Sequence, residues 1–332
     1  MSAWSRYSPE RLTQKETELV ELSGTEVKTQ KVDVGFGRFL YCLECGSQNS
    51  EVLLLIHGYC GAGMIFFKIL KQLSQEFRVV CVDLLGMGRS SRPEFTAVAV
   101  QDSEDFFLEA LELFIQTKEL EQFNLAGHSF GGYIAACLAL RNPQKIQRLL
   151  LLSPVGIPKK PVEYDYIRTL NSKDWKFRWV MKFLVFFWTK NITPLALLRK
   201  SGPFSKKLMK LYSKRKLLGL SPEEMQVVED YLEQINLMPG SGDLALQYIF
   251  EAGGWAKNPL CNRLGTFKGP THLFFGDKDW VTPPRVEETV AQIGPQVSLH
   301  FISDSDHHLY WDNPQELALK LMQALDVNSS KY

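Results

Sequence analysis

Short, mostly apolar runs alternate along this chain with segments of helical periodicity, and this alternation restricts the fold more than any other feature. Runs this short are typical of strands buried on both faces. Their alternation with helices predicts an α/β fold with a mostly parallel sheet covered on both faces. Before them, alternating residues around Gly35 and Gly37 predict a hairpin over Val27–Cys42. The predicted strands are Val52–Ile56, Arg78–Val82, Phe123–Ala126, Leu149–Leu152, His272–Phe275 and Val297–Ile302, and the predicted helices are Met64–Gln75, Glu104–Thr117, Gly131–Arg141, Val286–Ile293 and Pro314–Leu325.

The alternation breaks between residues 158 and 253, where helical segments occur without a clear strand. A chain of 332 residues suits one large domain with an insertion, because α/β folds often run to about 200–250 residues as one unit. The sequence therefore predicts an N-terminal extension at 1–26 and a core made of 27–157 and 254–332. Residues 158–253 are predicted to form a helical insertion, called the cap below.

The cysteines and the N-terminal composition indicate a reducing compartment. The pair Cys42 and Cys45 has no second pair and no nearby histidine, so we expect no zinc site, and no other metal or cofactor is implied. The N-terminus lacks the apolar core of a signal peptide, and no apolar run approaches the roughly 20 residues that span a bilayer. We expect an intracellular protein, cytoplasmic or peripherally attached to an organelle such as a mitochondrion or a lipid droplet. The six cysteines lie scattered in apolar segments, as buried thiols do: Cys42, Cys45, Cys60, Cys81, Cys137 and Cys261.

A G-x-S-x-G motif spans Gly127 to Gly131, between a predicted strand and a predicted helix. A serine on such a turn is held in a strained backbone, and its close neighbours must therefore be glycine. The N-terminus of the following helix favours negative charge near the seryl oxygen. Ser129 is therefore the predicted nucleophile, with Gly127 and Gly131 forming its elbow.

A serine hydroxyl needs a base, and the base needs a carboxylate that orients it. In chain order these partners follow the serine as acid and then histidine. The loop after the predicted strand His272–Phe275 contains Asp279, the predicted acid, and Asp277, the alternative. The loop after the last predicted strand contains His307, the predicted base, and His308, the alternative.

An oxyanion hole needs two backbone N–H groups directed at the developing negative charge. The residue after the nucleophile, Phe130, is predicted to provide one. The loop after the strand Val52–Ile56 is predicted to provide the other, from Tyr59 or, as the alternative, Cys60. His57, in the same loop, is interpreted as a structural residue.

Four segments together carry a family resemblance: HGYCGAG, DLLGMGRSSRP, GHSFGG and HHLYWDNP, in that order. They resemble the abhydrolase-domain-containing 4/5 branch of the α/β-hydrolases, over Glu51 to Pro314. The resemblance implies an α/β-hydrolase fold with a cap. It also implies lysophospholipase, N-acyl-phospholipid hydrolase or lysophosphatidic acid acyltransferase activity. Some relatives are lipase co-activators, and one such group lacks the serine; Ser129 favours an enzyme.

The acid loop departs from the animal members of that branch, whose proposed acid falls three positions later. That position is Thr282 here, which cannot serve, so Asp279 is retained. The resemblance also implies that His307 and Asp312 form an H-x4-D acyltransferase element. His307 is already the predicted triad base, so it cannot easily serve a second, independent reaction. Asp312 therefore keeps two interpretations, a residue of the acyltransferase element or a structural residue.

The cap differs in charge from the rest of the chain. Residues 159–216 contain sixteen Lys or Arg and three acidic residues, a net charge of +13, so the other residues carry −12 of the total +1. Aromatic and basic residues are interleaved over Trp175–Trp188, which predicts docking on a membrane or lipid droplet. The alternative is that these aromatics line an acyl pocket or pack the cap. Because no nucleic-acid-binding module surrounds the basic stretch, we expect no nucleic-acid partner.

The predicted function is hydrolysis of acyl esters of phospholipids or lysophospholipids through an acyl-enzyme, with acyl transfer as a further activity. Two alternatives remain open. One is a small-ester hydrolase of the same fold, and the other is a lipid-binding scaffold with a vestigial triad.

Overall fold

The computed structural model describes residues 7–160, 175–190, 192–217, 219–283 and 285–327. Its strands are β1 Lys28–Asp33, β2 Phe39–Cys45, β3 Val52–Ile56, β4 Arg78–Val82, β5 Phe123–His128, β6 Ile146–Leu152, β7 Thr271–Gly276 and β8 Val297–Ile302. Within the described residues they form one sheet in the order β1-β2-β4-β3-β5-β6-β7-β8. β1 and β2 are antiparallel to their neighbours, and β3 to β8 are parallel.

Helices cover both faces of this sheet. One face packs against α3, α4 and α10, and the other packs against α1, α2 and α12. The helices are α1 Pro9–Ser23, α2 Phe67–Leu73, α3 Val100–Thr117, α4 Phe130–Arg141, α5 Trp175–Thr189, α6 Pro194–Lys200, α7 Ser205–Lys216, α8 Pro222–Leu237, α9 Leu246–Ile249, α10 Val286–Ile293, α11 Leu309–Asp312 and α12 Pro314–Ala324.

The strand β3 shows why the apolar runs form this sheet. All five of its residues are buried. Because side chains alternate across a strand, Leu53 and Leu55 enter the core beneath α2, whereas Leu54 and Ile56 enter the core beneath α4. A strand with two apolar faces is therefore stable only in the middle of a layered fold.

The predicted fold class, a mostly parallel sheet with helices on both faces, is confirmed. Three predicted strands have the bounds observed for β3, β4 and β8. The predicted hairpin is also confirmed as β1 paired with β2. Its turn contains Gly35 at φ 75° and Gly37 at φ 69°, a region that glycine enters without steric cost.

The predicted N-terminal extension contains a helix that the sequence analysis did not assign. The side chain of Ser8 accepts a hydrogen bond from the backbone N–H of Arg11, and Gly24 ends α1 in the left-handed conformation. Leu12 and Leu19 are buried on its inner face. These N-cap, C-cap and spacing signals are readable in the sequence.

The described residues of the predicted cap form α5 to α9, while 161–174, 191 and 218 lie outside the described residues. Arg199 and Asp243 form an ion pair at 2.6 Å within this region. Arg92, from the core, donates hydrogen bonds to the carbonyls of Ile235 and Pro239 at the end of α8. Across the described part of the chain, no helix has the length and apolar character needed to cross a bilayer.

Candidate active site

The elbow after β5 holds Ser129 in a strained backbone, at φ 54° and ψ −115°. A Cβ on Gly127 would lie 2.3 Å from the carbonyl oxygen of Gly131, and one on Gly131 would lie 2.3 Å from that of His57. Backbone atoms this close cannot yield, so both positions require glycine. The turn therefore presents the Ser129 side chain at the start of α4.

The structure brings Ser129, His307 and Asp279 into one hydrogen-bonded chain. His307 Nε2 lies 2.9 Å from Ser129 Oγ, and His307 Nδ1 lies 3.2 Å from Asp279 Oδ1. Asp279 lies in the loop after β7, and His307 lies in the loop after β8. Because a carboxylate only accepts, Nδ1 carries a proton and Nε2 is free to accept from the serine hydroxyl.

Asp279 is buried beside the histidine and remains ionised. Burial raises the pKa of its carboxyl, but the hydrogen bond and charge of His307 and the N–H of Val281 outweigh burial, so the pKa is lowered overall. The backbone N–H of Val281 donates to Oδ1 at 3.0 Å. The charged carboxylate can therefore stabilise an imidazolium at His307.

A second histidine, His128, fixes the backbone of His307. Its Nε2 lies 2.9 Å from the carbonyl oxygen of His307, and its Nδ1 lies 3.4 Å from the hydroxyl of Tyr310. Burial, together with the nearby His307, lowers the pKa of His128 to about 3. His128 is therefore neutral and donates from Nε2, which leaves Nδ1 to accept.

The alternative acid and base lie away from Ser129. His308 Nδ1 lies 3.0 Å from the Tyr310 hydroxyl. Asp277 accepts hydrogen bonds from the backbone N–H groups of Asp304 and Ser305 and so holds the turn after β8. The hydrogen-bonded chain to Ser129 therefore runs through His307 and Asp279.

Asp312 and Thr282 have local backbone roles in the structure. Asp312 Oδ2 accepts from the backbone N–H of Asp306, at 3.0 Å, so it braces the residue before His307. The backbone N–H of Thr282 donates to the carbonyl of Asp279 at 3.2 Å. Of the two readings left open for Asp312, this contact fits the structural one.

The loop after β3, residues 57–61, contains the second predicted oxyanion donor. His57 Nδ1 lies 2.8 Å from the carbonyl oxygen of Gly58, and His57 Nε2 accepts from the N–H of Leu84 at 3.0 Å. Burial lowers the pKa of His57 to about 4, so this imidazole is neutral. It fixes the carbonyl of the Gly58–Tyr59 peptide, whose N–H belongs to Tyr59.

Phe130, the other predicted donor, is the first residue of α4. The first amides of a helix have no acceptor within the helix. Its N–H and the dipole of α4 therefore suit an anion beside Ser129.

Two residues near the site had no assigned role in the sequence analysis. Asp83 accepts from the backbone N–H of Gly63 at 2.5 Å and from that of Arg89 at 2.7 Å, joining the loop after β3 to the loop after β4. Burial raises the pKa of Asp83 to about 6. The half-exposed ring of Trp280 lies 5.4 Å from the His307 ring. Both residues could have been singled out in the sequence, since Asp83 begins the segment DLLGMGRSSRP and Trp280 directly follows Asp279.

The CxxC pair cannot bind one ion together. Cys42 and Cys45 are three positions apart on β2 and therefore face opposite sides of the sheet, where they enter different parts of the core.

A nucleophile elbow after the middle of a parallel sheet, with acid and histidine on later strand ends, defines a hydrolase-type fold. The family model described as alpha/beta hydrolase fold matches residues 51–314. The chain belongs to this family. Within it, the chain resembles the abhydrolase-domain-containing 4/5 branch.

Two relatives show the range of that branch. The chain is 28% identical to a probable 1-acylglycerol-3-phosphate O-acyltransferase of Oryza sativa subsp. japonica, over 94% of this chain and 80% of that protein. It is also 28% identical to a (lyso)-N-acylphosphatidylethanolamine lipase of Mus musculus, over 79% of this chain and 75% of that protein. The names of these two relatives thus describe an acyltransferase and a lipase.

A solved structure shows the same fold. It is a membrane phospholipase A described as a bacterial virulence factor, with a TM-score of 0.69 and 22% identity over 95% of this chain and 90% of that chain. At this identity the similarity establishes the fold alone.

Proposed function

We propose that this protein is a serine hydrolase that cleaves acyl esters of phospholipids or lysophospholipids. The observation that carries the proposal is the hydrogen-bonded chain from Ser129 through His307 to Asp279. These hydrogen bonds need an ionised Asp279 and a His307 that is protonated at Nδ1 and free to accept at Nε2, and a serine is activated by a histidine in this state.

The first half-reaction forms an acyl-enzyme. Ser129 Oγ attacks the ester carbonyl carbon while its proton passes to His307 Nε2. The N–H groups of Phe130 and Tyr59 hold the resulting oxyanion. The carbon–oxygen bond to the leaving alcohol then breaks, and His307 returns the proton to the alcohol oxygen.

The second half-reaction releases the acyl group. Water or a lysolipid hydroxyl attacks the acyl carbon while its proton passes to His307 Nε2. The bond from that carbon to Ser129 Oγ then breaks, and His307 returns the proton to Ser129 Oγ, which releases a free fatty acid or an acylated lipid. Because Asp312 braces the backbone of Asp306, we assign transfer to this same acyl-enzyme rather than to a separate His307–Asp312 pair.

The names of the relatives support the substrate class, since a glycerophosphate acyltransferase and a phosphatidylethanolamine-type lipase both handle acyl groups on phospholipids.

A direct test measures purified wild type and Ser129→Ala on lysophospholipids of different headgroups, with and without acyl-CoA. Fatty acid release by wild type alone supports hydrolysis, and a newly acylated lysolipid formed by wild type alone, with a lipid ester or acyl-CoA as donor, supports transfer through the acyl-enzyme. Strong preference for short soluble esters, or no turnover by folded wild type, contradicts the proposal and favours an alternative.

We further propose that the cap docks the enzyme on a lipid surface, which makes it a peripheral membrane protein. Trp179, Phe186 and Phe204 are exposed at 65%, 56% and 64%. Exposed aromatics are costly in water and favoured at the headgroup boundary. Lys182 lies over the Trp179 ring at 5.5 Å and supplies positive charge beside it.

Vesicle flotation tests this docking. Trp179→Ser with Phe186→Ser is expected to reduce binding to anionic vesicles severalfold, and high salt is expected to weaken wild-type binding. Phe36→Ser is the matched control, because Phe36 is 91% exposed but lies in the β1–β2 turn. Equal binding by all three proteins would contradict docking through α5.

A further inference from the structure

One side chain of the cap reaches the oxyanion loop, residues 57–61. Asn236 lies in the last turn of α8 and is buried. Its Nδ2 donates to the carbonyl oxygen of Cys60 at 2.9 Å and to that of Leu232 at 2.8 Å. Both partners only accept, which fixes the orientation of the amide and uses both of its N–H groups.

The residue that Asn236 holds is strained. Cys60 has φ 63°, a conformation that a side chain with a Cβ rarely adopts. The peptide between Cys60 and Gly61 is held at both ends, because its carbonyl accepts from Asn236 and its N–H donates to the carbonyl of Gly58 at 3.1 Å. Strained residues persist only where the surroundings over-determine them, and Asn236 supplies that constraint from the cap.

A second cap contact lies at the adjacent residue. The backbone N–H of Leu195, in α6, donates to the Tyr59 hydroxyl at 3.4 Å. The carbonyl of Gly58 is meanwhile held by His57 from within the core. The peptide that carries the Tyr59 N–H therefore has its own carbonyl held by His57 of the core, and the next carbonyl but one, that of Cys60, held by Asn236 of the cap.

We propose that Asn236 is a positioning residue for the oxyanion hole, acting through the Cys60 carbonyl to keep the Tyr59 N–H directed at the reacting ester. This inference rests on the proposed function, because it assigns Tyr59 to that reaction. It makes the cap part of the catalytic geometry as well as a cover over it. Placement of α8 then sets the catalytic rate.

The test compares Asn236→Leu and Asn236→Asp with wild type. Leucine keeps the branched shape of the side chain but leaves the Cys60 carbonyl without its donor, and aspartate places an acceptor against it. Loss of a direct oxyanion donor lowers kcat by about 100- to 1000-fold, so we expect about a tenfold loss for leucine and a larger one for aspartate. KM should stay within about twofold, as for an interaction made in the transition state.

Asp230→Asn is the matched control, because Asp230 lies on the same helix and pairs with Arg11 of α1 at 2.5 Å, away from the oxyanion loop. It should retain wild-type kcat. The rate of phosphonylation by a fluorophosphonate and the affinity for a trifluoromethyl ketone, which forms an oxyanion, should fall with kcat in the Asn236 variants. Melting temperature monitors folding, and the leucine variant keeps the test available if aspartate prevents folding.

Wild-type kcat and ketone affinity in a folded Asn236→Leu protein would overturn the inference while leaving the proposed function intact. A fall in kcat equal to that of Asp230→Asn would also overturn it. A wild type that neither labels nor hydrolyses any ester would instead overturn the proposed function.

Discussion

Among the turns at the carboxyl ends of the parallel strands that place a non-glycine residue at positive φ, those of Ser129, at 54°, and Cys60, at 63°, are stabilised differently. The Ser129 turn is held by the core, where Gly127 and Gly131 bring backbone against backbone. The Cys60 turn is held partly from outside the core, by Asn236 of the cap.

The two halves of the candidate site are therefore held by different parts of the fold. The proposed nucleophile, base and acid all follow strands of the sheet, and the hydrogen bonds that join them lie within the core. The loop 57–61, by contrast, accepts a hydrogen bond from α8, which lies between β6 and β7 in the chain. Changes on the two sides should therefore affect activity and stability in distinguishable ways.

The largest effect is expected on the nucleophile side, from Asp279→Asn. An amide keeps the shape of the carboxylate but no longer enforces the Nδ1–H form of His307, and the equivalent change in a serine protease lowers kcat about 10⁴-fold. Asp277→Asn is the control, since Asp277 holds only the turn at Asp304 and Ser305. Steady-state kinetics in which both variants lose activity equally would contradict the assignment of the acid.

Gly131→Ala should disturb both halves together. Its Cβ would lie 2.3 Å from the carbonyl oxygen of His57 and 2.5 Å from that of Ile56, so the elbow would press directly on the oxyanion loop. A displacement of about 1 Å can cost about 100-fold in rate, and we expect that loss with a lower melting temperature. Gly132→Ala, whose nearest contact is 3.0 Å, should be milder. Equal activity of Gly131→Ala and wild type would show that the loop yields freely.

His128→Gln tests the core side through pH. Burial holds the pKa of His128 at about 3 rather than 6.5, so below pH 6.5 the unfolded chain binds a proton that the folded protein does not. Wild type therefore loses stability through this group as pH falls, by up to about 1.4 kcal/mol per pH unit. Measured by urea titration, the difference in unfolding free energy between wild type and variant should therefore shrink by up to about 1.4 kcal/mol for each unit of pH lowered below 6.5. A difference that is constant with pH would contradict a buried neutral His128.

The smallest effect is expected from Tyr59→Phe. It removes the hydroxyl that accepts from Leu195 at 3.4 Å and keeps the backbone N–H. The lost hydrogen bond should lower the free energy of unfolding by about 1 kcal/mol or less, and kcat should stay within about threefold of wild type. A loss as large as that of Asn236→Leu would mean that α6, rather than α8, positions the loop.

Much of the fold could be predicted because burial leaves a local trace. The sequence predicts β3 and β4 at their observed bounds, since a strand covered on both faces is apolar almost throughout. The helix α1 was missed although Ser8 and Gly24 mark its ends, because its charged outer face suggested an extension.

The candidate site divides in the same way. Ser129, Asp279 and His307 each follow a strand, so chain order alone suggested their meeting. Asn236 could not be predicted, because its partner Cys60 is 176 positions away and an asparagine inside a helix has no distinguishing pattern. Three-dimensional packing supplies that contact.

The most direct test of the central claim is fluorophosphonate labelling of the folded protein, with the modified residue located by peptide mass spectrometry. The account predicts one adduct, on Ser129, which is absent from Ser129→Ala and is suppressed by competing lysophospholipid. Labelling at another residue, or no labelling of folded wild type, would contradict a serine nucleophile activated by His307 and Asp279.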